Sequence, residues 1–212
     1  LIVKENYSLI TGASSGIGLG LCKKLMHNNK IYAVYNKNLS SLLELKIPNL
    51  THLKCDLFDF ENYQEIEKKI KENNINLIIN CAGQFGSNSQ SIENINFDYF
   101  LNIIKLNSLS ILKILQLMSN NGKLKHLEKI INVSSSGGSI GENNEGNAYI
   151  YRTSKSALNS ISKNLSIDLS KKFDISVISI DPGNVKTGMN NKGFLSKEKR
   201  AEYIIDIICD NK

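Results

Sequence analysis

Tryptophan is absent from this 212-residue chain, and proline occurs only at Pro48 and Pro182. So little proline, with 14 glycines, excludes a collagen-like or proline-rich extended chain. Cysteine is nearly as scarce. Cys22, Cys55, Cys81 and Cys209 are scattered without a CxxC pair, and only three histidines accompany them. That pattern offers neither a disulfide framework nor a zinc site, and fits free thiols in a reducing compartment. No apolar run approaches the about 18 residues of a membrane span, and stretches such as Asn76 to Asn80 are strand-sized. The opening Leu1-Ile2-Val3-Lys4-Glu5 lacks the basic region and cleavage site of a signal peptide, so a cytoplasmic protein is expected. Arginine is nearly missing, with two against 24 lysines in a chain of net charge +6. Nucleic-acid modules cluster arginine with aromatics. Here the basic residues are spread over helix faces, and neither a nucleic-acid nor a membrane partner is expected.

What is present is a globular composition, 41% hydrophobic and 22% charged, in a length that suits one domain over residues 1–212. Short apolar runs occur at Tyr7 to Thr11, Lys30 to Tyr35, Leu50 to Leu57, Ile75 to Asn80, Lys129 to Val133 and Ile175 to Ile180. Most are rich in Ile and Val, as strands buried on both faces are. Helical patterns lie between them: Ile17 to Asn28, a short Ser40 to Leu45, Phe60 to Asn73, Phe97 to Met118, Tyr151 to Lys171 and Lys197 to Cys209. The alternation predicts βαβ units, and so a doubly wound parallel sheet with helices on both faces.

Thr11-Gly12-Ala13-Ser14-Ser15-Gly16-Ile17-Gly18 follows the first strand and opens the first helix. Glycines at such a turn let the backbone approach a pyrophosphate, and the helix N-terminus offers free N–H groups and the positive end of its dipole. At the end of the second strand, Tyr35-Asn36-Lys37-Asn38 has no carboxylate for a ribose 2′-hydroxyl, and Lys37 suits a 2′-phosphate. This favours NADP(H) over NAD(H), although Lys37 is equally well explained as a solvated loop lysine. Asp56, ending the third strand, is a candidate adenine contact, with a helix N-cap as the alternative.

Tyr151-Arg152-Thr153-Ser154-Lys155 is a YxxxK, which puts phenol and ammonium on one helix face. The apolar stripe Leu158, Ile161, Leu165, Leu169, extended backwards, turns that face inward. An ammonium about 4 Å from the phenol, at an effective dielectric of about 20, interacts by about 4 kcal/mol. That would lower a tyrosine pKa by up to about 3 units, the shift a general acid needs at neutral pH. A serine among Ser134, Ser135 and Ser136 would donate to a substrate carbonyl, and loop chemistry is the plain alternative. Asn107 falls on the apolar stripe of Phe97, Phe100, Leu101, Ile104, Ile111, Leu112 and Leu115, where an amide needs partners.

Taken in order, these residues resemble the short-chain dehydrogenase/reductase family. The match runs through the glycine loop, Asp56, Asn80-Cys81-Ala82-Gly83, Asn107, Ser134-Ser135, Tyr151 to Lys155, and Asp181-Pro182-Gly183 with Val185 and Thr187. The segments Tyr151 to Asn159 and Pro182 to Thr187 look most like the branch of C-factor and sniffer-type carbonyl reductases. The resemblance implies strand order 3-2-1-4-5-6 and hydride transfer between NAD(P)H and a small carbonyl or alcohol. Tyr151 would be the general acid, Ser135 would polarise the carbonyl, Lys155 would lower the Tyr151 pKa and hold the nicotinamide ribose, and Asn107 would anchor a water leading to Lys155. Gly12, Ser14, Ser15, Gly16, Ile17, Gly18, Asn36, Lys37, Asp56, Leu57, Asn80, Ala82, Gly83, Pro182, Gly183, Val185 and Thr187 would bind the cofactor. The family's final strand has no counterpart here, and the segment from Gly188 to Ser196 is short for a substrate lid, which implies an open pocket. A homodimer through the Asn107 and Tyr151 helices is implied as well. The same residues would serve a sugar, polyol or acyl-thioester reductase, and a non-catalytic nicotinamide-binding signalling module is the rival outside enzymology.

Overall fold

Ile- and Leu-rich strands with no alternation have apolar side chains to bury on both sides, and the structure covers both sides with helices. The computed structural model describes residues 6–27, 29–87 and 90–210. Its strands are β1 (Tyr7–Ile10), β2 (Lys30–Tyr35), β3 (Leu50–Lys54), β4 (Ile75–Asn80), β5 (Lys129–Val133) and β6 (Ser176–Ile180). All pair in parallel, in the order β3-β2-β1-β4-β5-β6. The expected order is therefore the observed one, and the sheet has six strands among the described residues. Helices α1 (Gly16–Leu25), α2 (Ser40–Leu43), α3 (Gln64–Glu72), α4 (Phe97–Ile104), α5 (Ser110–Asn120), α6 (Tyr149–Phe173) and α7 (Lys197–Asp210) complete the chain.

Successive residues of a strand face opposite sides. Leu9, Ile78 and Ile130 accordingly join one core with Ile66, Ile114 and Leu158, while Ile10, Ile79 and Ile131 join another with Leu21, Ala201 and Ile204. Burying one such isoleucine stabilises the fold by about 1.5–3 kcal/mol.

Two helices depart from the expected pattern. The third begins at Gln64 and not at Phe60. Asp56 Oδ1 accepts from Phe58 N (3.1 Å) and Asp59 Oδ1 from Glu61 N (3.0 Å), so the carboxylates fold residues 56–61 into turns. Asp56 thus caps a turn and not a helix. The Phe97 to Met118 pattern is one helical rod interrupted by a π-turn at Lys105–Leu109, between α4 and α5. The wider turn shifts the helix phase. Phe97 and Leu101, expected on the buried stripe, are 71% and 61% exposed, while Ile103, Asn107 and Ser108 are fully buried. By length and hydropathy, Phe97–Asn120 would pass for a membrane span, contrary to the first reading of the apolar runs. Half of it is buried against the rest of the fold, as in an interior helix.

Candidate active site

Tyr151 and Lys155 occupy the first two turns of α6, and both turn inward. Lys155 is 5% exposed, and its ammonium donates to the Val133 carbonyl at the end of β5 (2.8 Å). Burial lowers its pKa from 10.5 to about 8. The phenol of Tyr151 moves the other way. Burial raises it above the ordinary tyrosine value, a hydrogen bond with Ser135 pulls it back in part, and the Asp181 carboxylate adds to the rise. This corrects the expected lowering by Lys155. The ammonium is bonded to the strand end, is itself partly discharged near pH 8, and does not outweigh the loss of water around the phenol.

The three serines part company. Ser134 Oγ donates to Asn159 Oδ1 (2.6 Å), Ser136 is exposed, and Ser135 is the one that meets Tyr151. Ser135 Oγ also accepts from Gly137 N (3.1 Å), which starts a single 3-10 turn. Gly138 closes that turn against α6. A Cβ there would lie 2.8 Å from the Lys155 carbonyl carbon, so the approach requires glycine.

Asn107 sits in the π-turn, a common device at functional sites. Its Oδ1 accepts from Gln84 N (2.9 Å), and its Nδ2 donates to Gln84 O (2.9 Å) and Ser154 Oγ (2.9 Å). Ser154 Oγ in turn donates to the Tyr151 carbonyl (2.7 Å). Both donors of the amide are used by protein, which makes Asn107 a brace between the loop after β4 and α6. Gly83 separates it from the lysine: a Cβ there would lie 3.3 Å from Asn107 Oδ1 and 3.6 Å from Lys155 Nζ. Beside Tyr151 opens a cavity of about 510 Å³, whose lining includes Phe85, Ser136, Glu142, Glu145 and Arg152.

The glycine loop lies at the same end of the sheet. Gly12 (φ +65°) presses on the β4 loop, where a Cβ would come within 2.8 Å of Ala82 Cα, and a Cβ at Gly18 would strike the Gly12 carbonyl. Thr11 Oγ1 donates to Asn80 Oδ1 (3.2 Å) and accepts from Cys81 N and Ala82 N (both 3.0 Å), which ties the two loops together.

The family model described as short chain dehydrogenase matches residues 6–198. The chain belongs to the short-chain dehydrogenase/reductase family. An uncharacterized oxidoreductase of Staphylococcus epidermidis is 30% identical over 210 residues, covering 94% of this chain and 86% of that protein. An NADPH-dependent 3-dehydrocapnine reductase of Ornithobacterium rhinotracheale is 28% identical, over 85% of this chain and 66% of that one. Among solved structures, the carbonyl reductase Sniffer of D. melanogaster superposes with a TM-score of 0.85 at 28% identity, covering 95% and 90% of the two chains.

In this short-chain dehydrogenase, the residues expected around a dinucleotide divide into two groups. The loop suits a pyrophosphate. Ser15, the N-cap of α1, makes no side-chain cap hydrogen bond, and the first turn holds no acidic residue, so the positive dipole end is not neutralised from within the helix. Thr187 joins this loop, since a Cβ at Gly16 (φ +54°) would lie 3.4 Å from its methyl group. Lys37 is exposed at the end of β2, beside half-buried Asn36. Ser14, Pro182 and Gly183 line the same sheet end at or near the surface, whereas Ile17, Leu57 and Val185 are buried in the core. Asn80 is the exception. Only 1% exposed, it spends its amide on Thr11 and on Asn132 Oδ1 (3.2 Å), so its side chain braces the sheet. The segment after β6 is also better anchored than an open lid. Lys186 N donates to Leu195 O (2.9 Å) and Leu195 N to Asn184 O (3.1 Å), which closes a loop on itself. Sequence reasoning passed over Thr11, Ser154, Asn159 and Gln90, because a lone polar residue carries no periodic signal.

Proposed function

We propose that this protein catalyses NADPH-dependent reduction of a small ketone, aldehyde or quinone, as a member of the C-factor and sniffer-like carbonyl reductase branch. The observation that carries the reading is Tyr151, hydrogen-bonded with Ser135 and lining the 510 Å³ cavity, with the buried Lys155 four residues along the same helix. Bound reduced nicotinamide supplies the hydride. Tyr151 gives its phenolic proton to the carbonyl oxygen as charge develops there, and Ser135 Oγ donates a hydrogen bond to the same oxygen. A phenol pushed above its ordinary pKa is fully protonated at neutral pH, which suits the acid of a reduction. Lys155, held by Val133, serves the nicotinamide ribose, and Asn107 keeps Gln84 and α6 in register beside it. Lys37 and the absence of a carboxylate in Tyr35 to Asn38 support NADP(H), as does the NADPH dependence of the Ornithobacterium relative. Exposed Phe97 and Leu101 on α4, with Tyr149 on α6, support a homodimer through these helices.

Fluorescence titration with NADPH and NADH tests the cofactor, and turnover of phenanthrenequinone by wild type and Tyr151→Phe tests the chemistry. Tighter NADPH binding, with turnover lost and binding kept in Tyr151→Phe, is expected. Tighter NADH overturns the preference. Turnover that survives in Tyr151→Phe overturns the mechanism. Reduction of a sugar or acyl thioester in place of the quinone would move the protein to the rival substrate class.

A further inference from the structure

The helix that carries Tyr151 begins without a cap of its own. Gly146, Asn147 and Ala148 precede it at φ +65°, +54° and +49°, and Ala148, at the N-cap, has no side-chain acceptor. Two non-glycine residues in the left-handed region, each costing about 1 kcal/mol, hold only where something else fixes the chain. The first amides of α6 would then lack partners. One does not. Gln90 Oε1 accepts from Tyr151 N (3.1 Å), across 61 residues of sequence.

Gln90 is 5% exposed, and its other end is held as firmly. Nε2 donates to Phe85 O (3.0 Å) and to Ser87 O (2.9 Å), so both donors and one acceptor site of the amide are used within hydrogen-bonding distance. The loop that contains it is clamped at its start by Asn107 on the Gln84 backbone. The Phe85 ring, from the same loop, lies 4.9 Å from the Tyr151 ring, tilted by 38°. Tyr151 is therefore gripped twice from one loop: Gln90 holds its backbone and Phe85 lies against its ring.

We propose that Gln90 is a positioning residue for Tyr151, supplying from the loop after β4 the N-terminal cap that α6 cannot supply itself. The catalytic part of this rests on the reading of Tyr151 as general acid. The structural part does not.

Gln90→Met keeps the length of the side chain and removes its hydrogen bonds, while Gln90→Glu keeps an acceptor toward Tyr151 N. Amide hydrogen exchange resolved at Tyr151 is read beside the kinetics of phenanthrenequinone reduction. In Gln90→Met, exchange at the Tyr151 amide should quicken by about fivefold, the effect of losing a cap. In the same variant kcat should fall by about tenfold, with KM and NADPH affinity within about twofold of wild type. Gln90→Glu keeps the acceptor but turns a carboxyl oxygen toward Phe85 O and Ser87 O, so it should hold the protection and kcat only while that carboxyl is protonated and lose both once it ionises. A purely structural role would lower thermal stability and leave kcat in place. Unchanged exchange at Tyr151 in Gln90→Met overturns the assignment whatever the protein reduces. Lost protection with unchanged kcat overturns the positioning role. Should Gln90→Met fail to fold, a folded Gln90→Asn, which keeps the amide but is one methylene too short to reach Tyr151 N, overturns it equally if Tyr151 protection is unchanged. A wild type that turns over no carbonyl refutes the proposed function, and leaves the exchange result to decide whether Gln90 caps α6.

Discussion

Raising the pH from about 7 to about 9 should increase what Lys155 contributes to stability. Burial holds this lysine at about 8 in the folded state, against 10.5 for a free side chain. Below the folded value the native protein bears the whole cost of a buried ammonium. Above it the folded lysine gives up its proton while the unfolded chain keeps one, so the unfolded state binds more protons and stability climbs. The gap, at about 1.36 kcal/mol per pH unit, amounts to about 3 kcal/mol by pH 10.5, of which about 1 kcal/mol appears between about pH 7 and 9. Cys22 and Cys55 work in the opposite sense. Burial pushes both thiols up to about 12, and Cys81 to about 11, so the unfolded thiols ionise first and their contribution falls from about pH 8 upward. Lys155→Met retains those cysteines and loses the ammonium. Its lost hydrogen bond to Val133 is a constant offset below pH 8. Urea unfolding of both proteins at half-unit steps of pH isolates the lysine as a difference curve. That curve should rise by about 1 kcal/mol across the window. A flat or falling curve would mean that the ammonium is not desolvated as described, and the account of Tyr151 and Lys155 would fall with it.

Gly12→Ala should cost about 2–4 kcal/mol in urea unfolding, because its Cβ meets the Ala82 backbone at 2.8 Å and its φ is +65°; a loss under about 0.5 kcal/mol would refute the close packing of the two loops. Thr11→Val, nearly the same in shape, leaves Cys81 N and Ala82 N without an acceptor and should destabilise by about 2–3 kcal/mol in the same assay. Ultraviolet difference titration of wild type against Tyr151→Phe should show a phenol ionising above the ordinary tyrosine range, and ionisation below pH 9 would contradict the burial of that side chain. Lys37→Ala should weaken NADPH about tenfold and NADH little, as read by fluorescence titration.

The strands were legible because buried parallel strands leave runs such as Ile75 to Asn80 and Lys129 to Val133, which match β4 and β5 to the residue. The glycine loop and the YxxxK were legible as a close strand-to-helix turn and an inward helix face because spacing alone sets both geometries. The beginning of α3 was not, since the carboxylates of Asp56 and Asp59 stop the helix through turns that no apolar period reports. Nor was the π-turn at Lys105–Leu109, which inserts a residue into an otherwise regular stripe and changes which side chains face inward. The Coulomb argument for Tyr151 missed the direction of the shift, because the strength of desolvation depends on burial that only the fold reveals, and Ser135 and Asp181 are the groups that act on the phenol beside it. Gln90 was invisible because its partner lies 61 residues away.

The Asn80 and Asn132 pair has a consequence for how the sheet assembles. Strands that are apolar on both faces carry no inside-outside alternation, so the apolar side chains of Ile75–Asn80 and Lys129–Val133 do not themselves penalise a slip of one strand against the next. The two asparagines supply that penalty. They stand directly opposite each other in the ladder, and their amides join Thr11 on β1's side to Ser162 on α6 through Asn132 Nδ2 (2.9 Å). A slip of one residue would break the chain and strand two buried amides, at about 1–3 kcal/mol for each unmet group. The same contacts that seat the glycine loop beside the Tyr151 helix thus select one alignment of the central strands over its neighbours.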